Sequence, residues 1–419
     1  MSQAEAVSEV VEHLFRREAG KIVAILTRIF GIEHLQLAED VVQEALVRAL
    51  QSWPFYGVPE NPSAWILRAS RNLALDVVRR QKIFREKEAE IIRLIEDRDS
   101  PAAVSIADQE IADDRLRMMF VCCHPLIPAD AQAALALKTL CGFSAKEIAA
   151  AFLTTEASIS KRLTRAKHHV REAGIPFEIP AGPELSRRLD GVLQSLYLLF
   201  NEGYKASAGD KLIREDICEE ALRLAGLLVA HPAGNRPRVH ALLALMLLNS
   251  ARLPARVDAE GNLLRLEDQD RSLWDRGMIA RGLYHIAQSA VGDQLTIYHI
   301  LAGIAACHCS AGDYQSTDWA QILALYDRLA AFDASPVVAL NRAVAVAQVH
   351  GPQAGLDALS SVQESLDSYY LLHAVTAEFE RRLGHIEAAA RHLRRAIALA
   401  ENPPERAFLE KRLRACEAA

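Results

Sequence analysis

Apolar residues recur every three or four positions along almost the whole chain, and no stretch sustains an alternation of apolar and polar residues. A period near 3.6 buries one stripe of a helix, whereas a half-buried strand needs a period of two. The pattern predicts an all-α protein. Composition agrees, with 51% hydrophobic residues, only 6% aromatic ones, and Ala and Leu throughout. A length of 419 residues predicts two or three domains, each able to bury its own core. No apolar run approaches the ~18–20 residues of a membrane-spanning helix. The first ten residues are acidic and amphipathic, without the basic start and apolar centre of a signal peptide. Seven scattered cysteines do not make a disulfide framework. These features predict a soluble protein of a reducing cytoplasm. A net charge of −6 argues against indiscriminate coating of nucleic acid, although an average can hide a local basic stripe.

Long amphipathic helices run from about Ser8 to Arg80, broken by Trp53-Pro54-Phe55-Tyr56-Gly57-Val58-Pro59 and by Asn61-Pro62. Between Gln81 and Glu110 charge runs such as Arg85-Glu86-Lys87-Glu88 read as a linker. A compact helical block follows from about Ile111 to Ala173, and then Pro176, Pro180, Gly182 and Pro183 mark a second linker. From about Glu184 helix follows helix. Asp333, Asp367 and Glu401 lie 34 residues apart and are each expected to close a helix, while Gly351 and Gly384, 33 apart, are expected at helix-to-helix turns. A period near 34 residues with paired helices is the tetratricopeptide signature. It covers at least Asp318–Ala400, and the segment Val257–Arg271 interrupts it. An irregular helical domain is the other reading of this region.

The sharpest local signal is Ser144–Val170. Ser144-Ala145-Lys146-Glu147 has the form of a capping box, opening a helix to about Phe152. After a turn at Thr154-Thr155, Thr155 can cap a second helix whose first residue, Glu156, suits the positive end of the helix dipole. Ile159, Leu163, Ala166 and Val170 make its apolar stripe, and Lys161, Thr164, Arg165 and His168 its opposite face. Two short helices of this kind form a helix-turn-helix. A simple helical hairpin with a solvated basic face fits the spacing too, and the turn carries Leu153 where glycine is frequent.

A second stripe lies at Asn61–Arg80. Ile66, Ala69, Leu73 and Val77 are expected to be buried, with Arg68, Arg71, Asn72 and Arg79 opposite. Seven basic residues stand against two acidic ones from Arg68 to Lys87, and Trp65, Trp53, Phe55 and Tyr56 add aromatic surface. Basic groups for phosphates beside aromatics for unstacked bases suit a single strand. A solvated basic face over a core tryptophan is the alternative. Upstream, Val42, Ala45, Leu46 and Ala49 face a core, while Asp40, Gln43, Glu44 and Val47 share the outer face. An apolar residue among acidic ones suggests protein docking.

In this order, over about residues 8–175, the three features closely resemble bacterial RNA polymerase sigma factors of the extracytoplasmic-function group. The matching residues are Ala38-Glu39-Asp40 with Gln43-Glu44; Ala64-Trp65, Arg68, Arg71-Asn72, Asp76 and Arg79-Arg80; and Lys146-Glu147-Ile148-Ala149 with Lys161-Arg162-Leu163 and Arg165-Ala166-Lys167. The resemblance implies polymerase docking by Asp40, Gln43, Glu44 and Val47. It implies reading and melting of the −10 promoter element by Trp65, Arg68, Arg71, Asn72, Arg79 and Arg80. It implies −35 recognition by Thr155, Ser160, Lys161, Arg162, Thr164, Arg165 and His168. The remainder resembles the fused tetratricopeptide-like extension of one subgroup, through Glu202-Gly203-Tyr204, Asp268-Gln269-Asp270-Arg271 and Asp318-Trp319-Ala320-Gln321. The expected organisation is a region 2 domain at 8–82, a linker at 83–110, a region 4 helix-turn-helix domain at 111–176 and a helical regulatory extension at 184–419. Core RNA polymerase and promoter DNA are the implied partners, with a further intramolecular or effector contact through the extension.

No cofactor, metal or catalytic set is expected. Cys122-Cys123-His124 and Cys307-His308-Cys309 put adjacent ligands on a helix pointing apart, with no second Cys-x-x-Cys to close a tetrahedron. The polar cluster Arg256, Asp258, Glu267, Asp268, Asp270, Arg271 and Trp274 offers paired carboxylates but no accompanying nucleophile and base or phosphate loop. It reads as an ion-paired loop or an effector pocket. A regulator that binds DNA without polymerase, and a helical enzyme with a regulatory N-terminal part, are the competing functions.

Overall fold

The computed structural model describes residues 3–80, 114–152, 154–180, 182–205, 213–232, 234–258, 263–292, 294–400 and 403–418. It divides into two compact units, Met1–Glu202 and Gly203–Ala419. Among the described residues the fold is helical, with one isolated antiparallel bridge between Val257 and Leu263.

The first unit opens with α1 (Gln3–Phe30), a 3-10 turn (Ile32–His34), α2 (Leu35–Tyr56) and α3 (Pro62–Arg80), each of the three helices packing on the other two. Gly57, at φ 85°, ends α2 and donates its N–H to Trp53 O at 2.9 Å. That conformation costs glycine little and an L side chain much. Pro62 stands at the first turn of α3, where its missing N–H loses nothing, and the Asn61 side chain accepts the Ala64 N–H at 3.0 Å. As the sequence predicts, Val42, Ala45, Leu46 and Ala49 are buried. On α3 the buried residues are Ile66, Ser70, Ala74 and Leu75, while Ala69, Leu73 and Val77 are half-buried. The stripe is displaced from the expected one because α3 packs on both α1 and α2, which draws a second row of side chains inward.

The same unit continues with α4 (114–122), α5 (Ala129–Cys141), α6 (Ala145–Ala151), α7 (Glu156–Glu172) and α8 (Gly182–Tyr204). The capping box of α6 is formed: Glu147 N–H donates to Ser144 Oγ (3.1 Å), and Ser144 N–H to Glu147 Oε2 (2.8 Å). Thr155 Oγ1 accepts the Ser158 N–H at 3.3 Å and starts α7. Ile159, Leu163, Ala166 and Val170 are all buried. Each large apolar side chain is worth roughly 1.5–3 kcal/mol of burial, against about 1 kcal/mol for a cap. Burial therefore holds α7 and the cap sets its start. The expected boundary near 176–183 falls elsewhere in space. Gly191 leaves room where a Cβ would meet Gln132 and Cys123, and Ser195 Oγ lies 3.9 Å from Cys123 Sγ, so most of α8 belongs to the first unit.

The second unit contains α9 (Glu215–Ala230), α10 (Pro237–Ser250), α11 (Arg276–Ser289), α12 (Ile297–Ser310), α13 (Trp319–Phe332), α14 (Pro336–His350), α15 (Pro352–Leu359), α16 (Tyr370–Arg382), α17 (Ile386–Leu399) and α18 (Pro403–Glu417). Its later core is a chain of local clusters, built around Ile304 and Ile322, then Leu340 and Phe379, then Leu393 and Leu409. Each joins consecutive helices, which is the nearest-neighbour packing of a helical array. Gly351 (φ 91°) and Gly384 (φ 82°) occupy the turns α14–α15 and α16–α17, where the sequence puts them. Asp333 closes α13 as expected. Asp367 does not close a helix: α15 stops at Leu359 and a run of turns intervenes. Glu401 lies outside the described residues.

Candidate nucleic-acid interface

The outward face of α7 carries Ser160, Lys161, Thr164, Arg165 and His168, all exposed, with Thr155 exposed at its cap. Arg162 is half-buried, so it stands at the edge of this face. Arg165 Nε turns back to the Lys161 carbonyl at 3.4 Å, and His168 Nδ1 lies 3.1 Å from Glu172. The face is basic, solvated and rigidly backed by the four buried apolar residues. Leu153, in the turn, lies outside the described residues.

A second surface forms where α2 meets α3. A cleft of about 600 Å³ is lined by Arg48, Gln51, Tyr56, Trp65, Arg68 and Asn72, a size within the range of small-molecule sites. Trp65 is half-buried and stacks edge to face on Trp53 at 5.4 Å. Trp53 itself is only 2% exposed, so it is a core residue and not the surface aromatic expected from its neighbours. Phe55 (83%) and Tyr56 (89%) are the exposed pair. Arg68 and Asn72 are open to solvent. Arg71 is half-buried with its Nε enclosed and without a hydrogen-bond acceptor, which separates it from them. The side chains of Arg79 and Arg80 lie outside the described residues. Sequence reasoning missed Arg48 and Gln51 as cleft residues. The available signal was the α2 outer stripe, since Glu44, Arg48 and Gln51 continue it at helical spacing.

Asp40, Gln43, Glu44 and Val47 are exposed along one side of α2. Gln36 Nε2 donates to Asp40 at 2.7 Å, and Glu44 pairs with Arg48 at 3.0 Å. The second pair is half exposed on both sides, where such pairs contribute little. Val47, at 45% exposure, is the apolar residue in this polar row.

In the second unit the charged members of the polar cluster that hydrogen-bond do so with separate neighbours, while the Trp274 indole N–H is buried without an acceptor. Arg271, 8% exposed, donates to the carbonyls of His308 (2.7 Å) and Ala311 (2.8 Å) and to Thr317 Oγ1 (3.2 Å). The Arg252 and Arg271 guanidiniums lie 5.4 and 4.7 Å from the Trp274 ring centre. Asp268 pairs with Arg265 (2.8 Å), and Asp270 accepts the Ser272 N–H at 2.8 Å. The two carboxylates thus serve different partners. Burial pushes the Cys123 thiol up to about 12 and the Cys309 thiol to about 11, which disfavours the thiolates a metal would need.

Three segments match known families: residues 14–83 match sigma-70 region 2, residues 117–170 match sigma-70 region 4, and residues 188–290 match a family of unknown function. The ECF RNA polymerase sigma factor SigE of Mycolicibacterium smegmatis (strain ATCC 700084 / mc(2)155) is 29% identical over 162 residues, 38% of this chain and 60% of SigE. The chain belongs to the extracytoplasmic-function group of sigma-70 factors. An uncharacterized protein of Rhizobium meliloti (strain 1021) is 42% identical over 384 residues, 91% of this sigma factor and 90% of the relative, so the long C-terminal part is shared along with the two sigma regions. No solved structure matches the sigma factor. The family is one of non-enzymatic transcription initiation factors that work with core RNA polymerase on promoter DNA. Region 2 contains the α2 outer face and the α2–α3 cleft, and region 4 contains α6 and α7. No described helix of the sigma factor is long and apolar enough to cross a membrane.

Proposed function

We propose that this sigma factor directs core polymerase to specific promoters through three separate surfaces and is regulated by its fused helical extension. Lys161, Arg165, Thr164, Ser160, Thr155 and His168, with Arg162 at the edge, read the −35 element in the major groove. Phosphate contacts fix the register of such a helix and side chains on base edges give the sequence preference. Trp65, Arg68, Arg71, Asn72, Arg79 and Arg80 hold the melted −10 strand. The cleft beside Arg68 and Asn72, with Tyr56 exposed at 89%, offers an unstacked base an aromatic wall and hydrogen-bonding groups, which a paired base inside the duplex cannot reach. Asp40, Gln43, Glu44 and Val47 dock on polymerase. The observation that carries the reading is the exposed basic face of α7 above a fully buried stripe.

Mapping transcript starts in cells that overproduce the chain tests this function. A shared pair of sequence elements upstream of the induced starts supports it, and starts without a common pair contradict it. Regulation by the extension is tested by cutting the chain after Lys205. That cut retains α8, whose Gly191 and Ser195 pack on Cys123. A changed transcription output supports regulation, and equal output from both chains across promoters and core concentrations contradicts it.

A further inference from the structure

Two arginines of the second unit stand over one tryptophan ring. Trp274, 2% exposed, follows the 3-10 turn Arg271–Leu273 and precedes α11. Arg252 follows α10, and the Asp275 N–H donates to Ala251 O at 2.9 Å, which ties the two segments together. The Arg271 and Arg252 guanidiniums lie 4.7 and 5.4 Å from the Trp274 ring centre. The acceptors that Arg271 finds are two carbonyls and a hydroxyl, all uncharged. Arg276, exposed at the first position of α11, reaches the Arg271 carbonyl at 3.5 Å.

Among the described residues no carboxylate pairs with this group. Asp270, Asp275 and Asp313 accept backbone N–H groups instead, from Ser272 (2.8 Å), Met278 (2.9 Å) and Ser316 (2.7 Å). Arg265, Arg342 and Arg412 of the same unit do have carboxylates, so the lack is local. Three enclosed nitrogens here also go without a hydrogen-bond partner: Arg252 Nε, Trp274 Nε1 and His308 Nδ1. His308, on α12, belongs to the same group, because its carbonyl accepts from Arg271. Burial and the Arg252 and Arg271 charges keep its ring neutral. Enclosing cations beside one another with no anion between them is costly, and so is leaving buried donors unmet.

We propose that Arg252, Arg271, Trp274 and His308, with Arg276 on the solvent side, form a binding site for a tetrahedral oxyanion: inorganic phosphate or the phosphate of a small phosphomonoester. Guanidinium forks match phosphate oxygens and hold them by charge-assisted hydrogen bonds. The unpartnered nitrogens come from three places in the fold: the turn after α10, the turn before α11, and α12. A tetrahedral anion accepts from such divergent directions, whereas a carboxylate accepts mainly near its own plane. Ser272 and Leu273 are exposed, and this short 3-10 turn is the cover that gives way as the anion enters. The site lies in the extension and is independent of the promoter-reading function.

The test is titration calorimetry of the full chain with inorganic phosphate and, separately, with glycerol 3-phosphate, in chloride at constant ionic strength. Saturable binding is expected, and the tighter of the two probes identifies the source of the anion. Arg252→Gln and Trp274→Phe should each weaken binding by at least about tenfold, the weight of one hydrogen bond to a charged group. Thermal unfolding gives a second readout. The tighter probe should raise the wild-type Tm progressively with its concentration and leave that of Arg252→Gln nearly unmoved. Circular dichroism checks the folding of the variants. If either buried variant fails to fold, the exposed Arg276→Gln decides, with weakened binding expected. No binding of either probe by the wild-type chain, or equal binding by the folded variants, overturns the site. Neither polymerase nor DNA is present, so failure here leaves promoter reading untouched.

Discussion

The rings of Trp53 and Trp65 meet edge to face, 5.4 Å between centres and 71° between planes. One belongs to α2 and is 2% exposed; the other belongs to α3 and lines the cleft. The pair couples the region 2 core to the surface assigned to the −10 strand. Trp53→Ala should destabilise the chain by about 3–5 kcal/mol, the range of large core truncations. Trp53→Phe should cost distinctly less, because it keeps the ring and removes an indole N–H that is buried without an acceptor. Urea unfolding of the two variants checks the ordering.

The exposed face of α7 gives a prediction about salt. Arg165→Ala and Lys161→Ala should weaken promoter binding by holoenzyme without lowering thermal stability, since both side chains are exposed. A lost phosphate contact reduces the salt slope of log affinity by about 1, whereas a lost base contact costs about 1–3 kcal/mol and relaxes sequence preference at one position. Affinity measured across salt concentrations distinguishes these, and unchanged binding in both variants removes the face from the DNA interface.

Arg68 and Asn72 should matter more for opening the promoter than for the closed complex. Arg68→Ala and Asn72→Ala should slow formation of the open complex on duplex promoters and recover on a template with a pre-melted bubble. Arg71→Ala should recover less and also lower stability, because Arg71 is half-buried with its Nε enclosed. Kinetics of open-complex formation on the two templates provide the comparison.

Much of this was legible in the sequence, for identifiable reasons. Ser144 with Glu147, Thr155, and the stripe Ile159–Leu163–Ala166–Val170 are local: capping and a 3.6-residue period depend on neighbours three or four positions away. Gly351 and Gly384 were legible because positive φ favours glycine. What escaped depends on which elements meet in space. Trp53 and Tyr56 are three residues apart on one helix, yet one is core and the other is 89% exposed, because α3 covers only one side. Arg48 and Gln51 become cleft residues only once α3 is packed. The ion pairs Glu39–Lys167 and Arg28–Asp114 join residues far apart in sequence, and nothing local announces them.

The second unit should lose stability in acid. Burial, reinforced by the Arg252 and Arg271 charges, lowers His308 from 6.5 to about 3. The unfolded chain therefore takes up this proton near pH 6.5 and the folded chain only near pH 3. Neutral His308 contributes fully above pH 6.5, and that contribution is lost as pH falls towards 3, by up to about 1.4 kcal/mol per unit. His285, lowered to about 4 chiefly by burial, acts in the same direction. Urea midpoints should fall between pH 7 and pH 5, and His308→Gln should flatten that dependence. An equal slope in the variant contradicts the assignment.

The promoter-reading function proposed above requires this chain to give core polymerase its promoter. The most direct measurement is reconstituted run-off transcription on a mapped promoter, with core alone, the chain alone and the two together. A transcript from the single mapped start is expected only when both are present, and it should be lost on scrambling either upstream element. Promoter-bound chain that never yields a core-dependent transcript, or equal transcription by core alone, would contradict it.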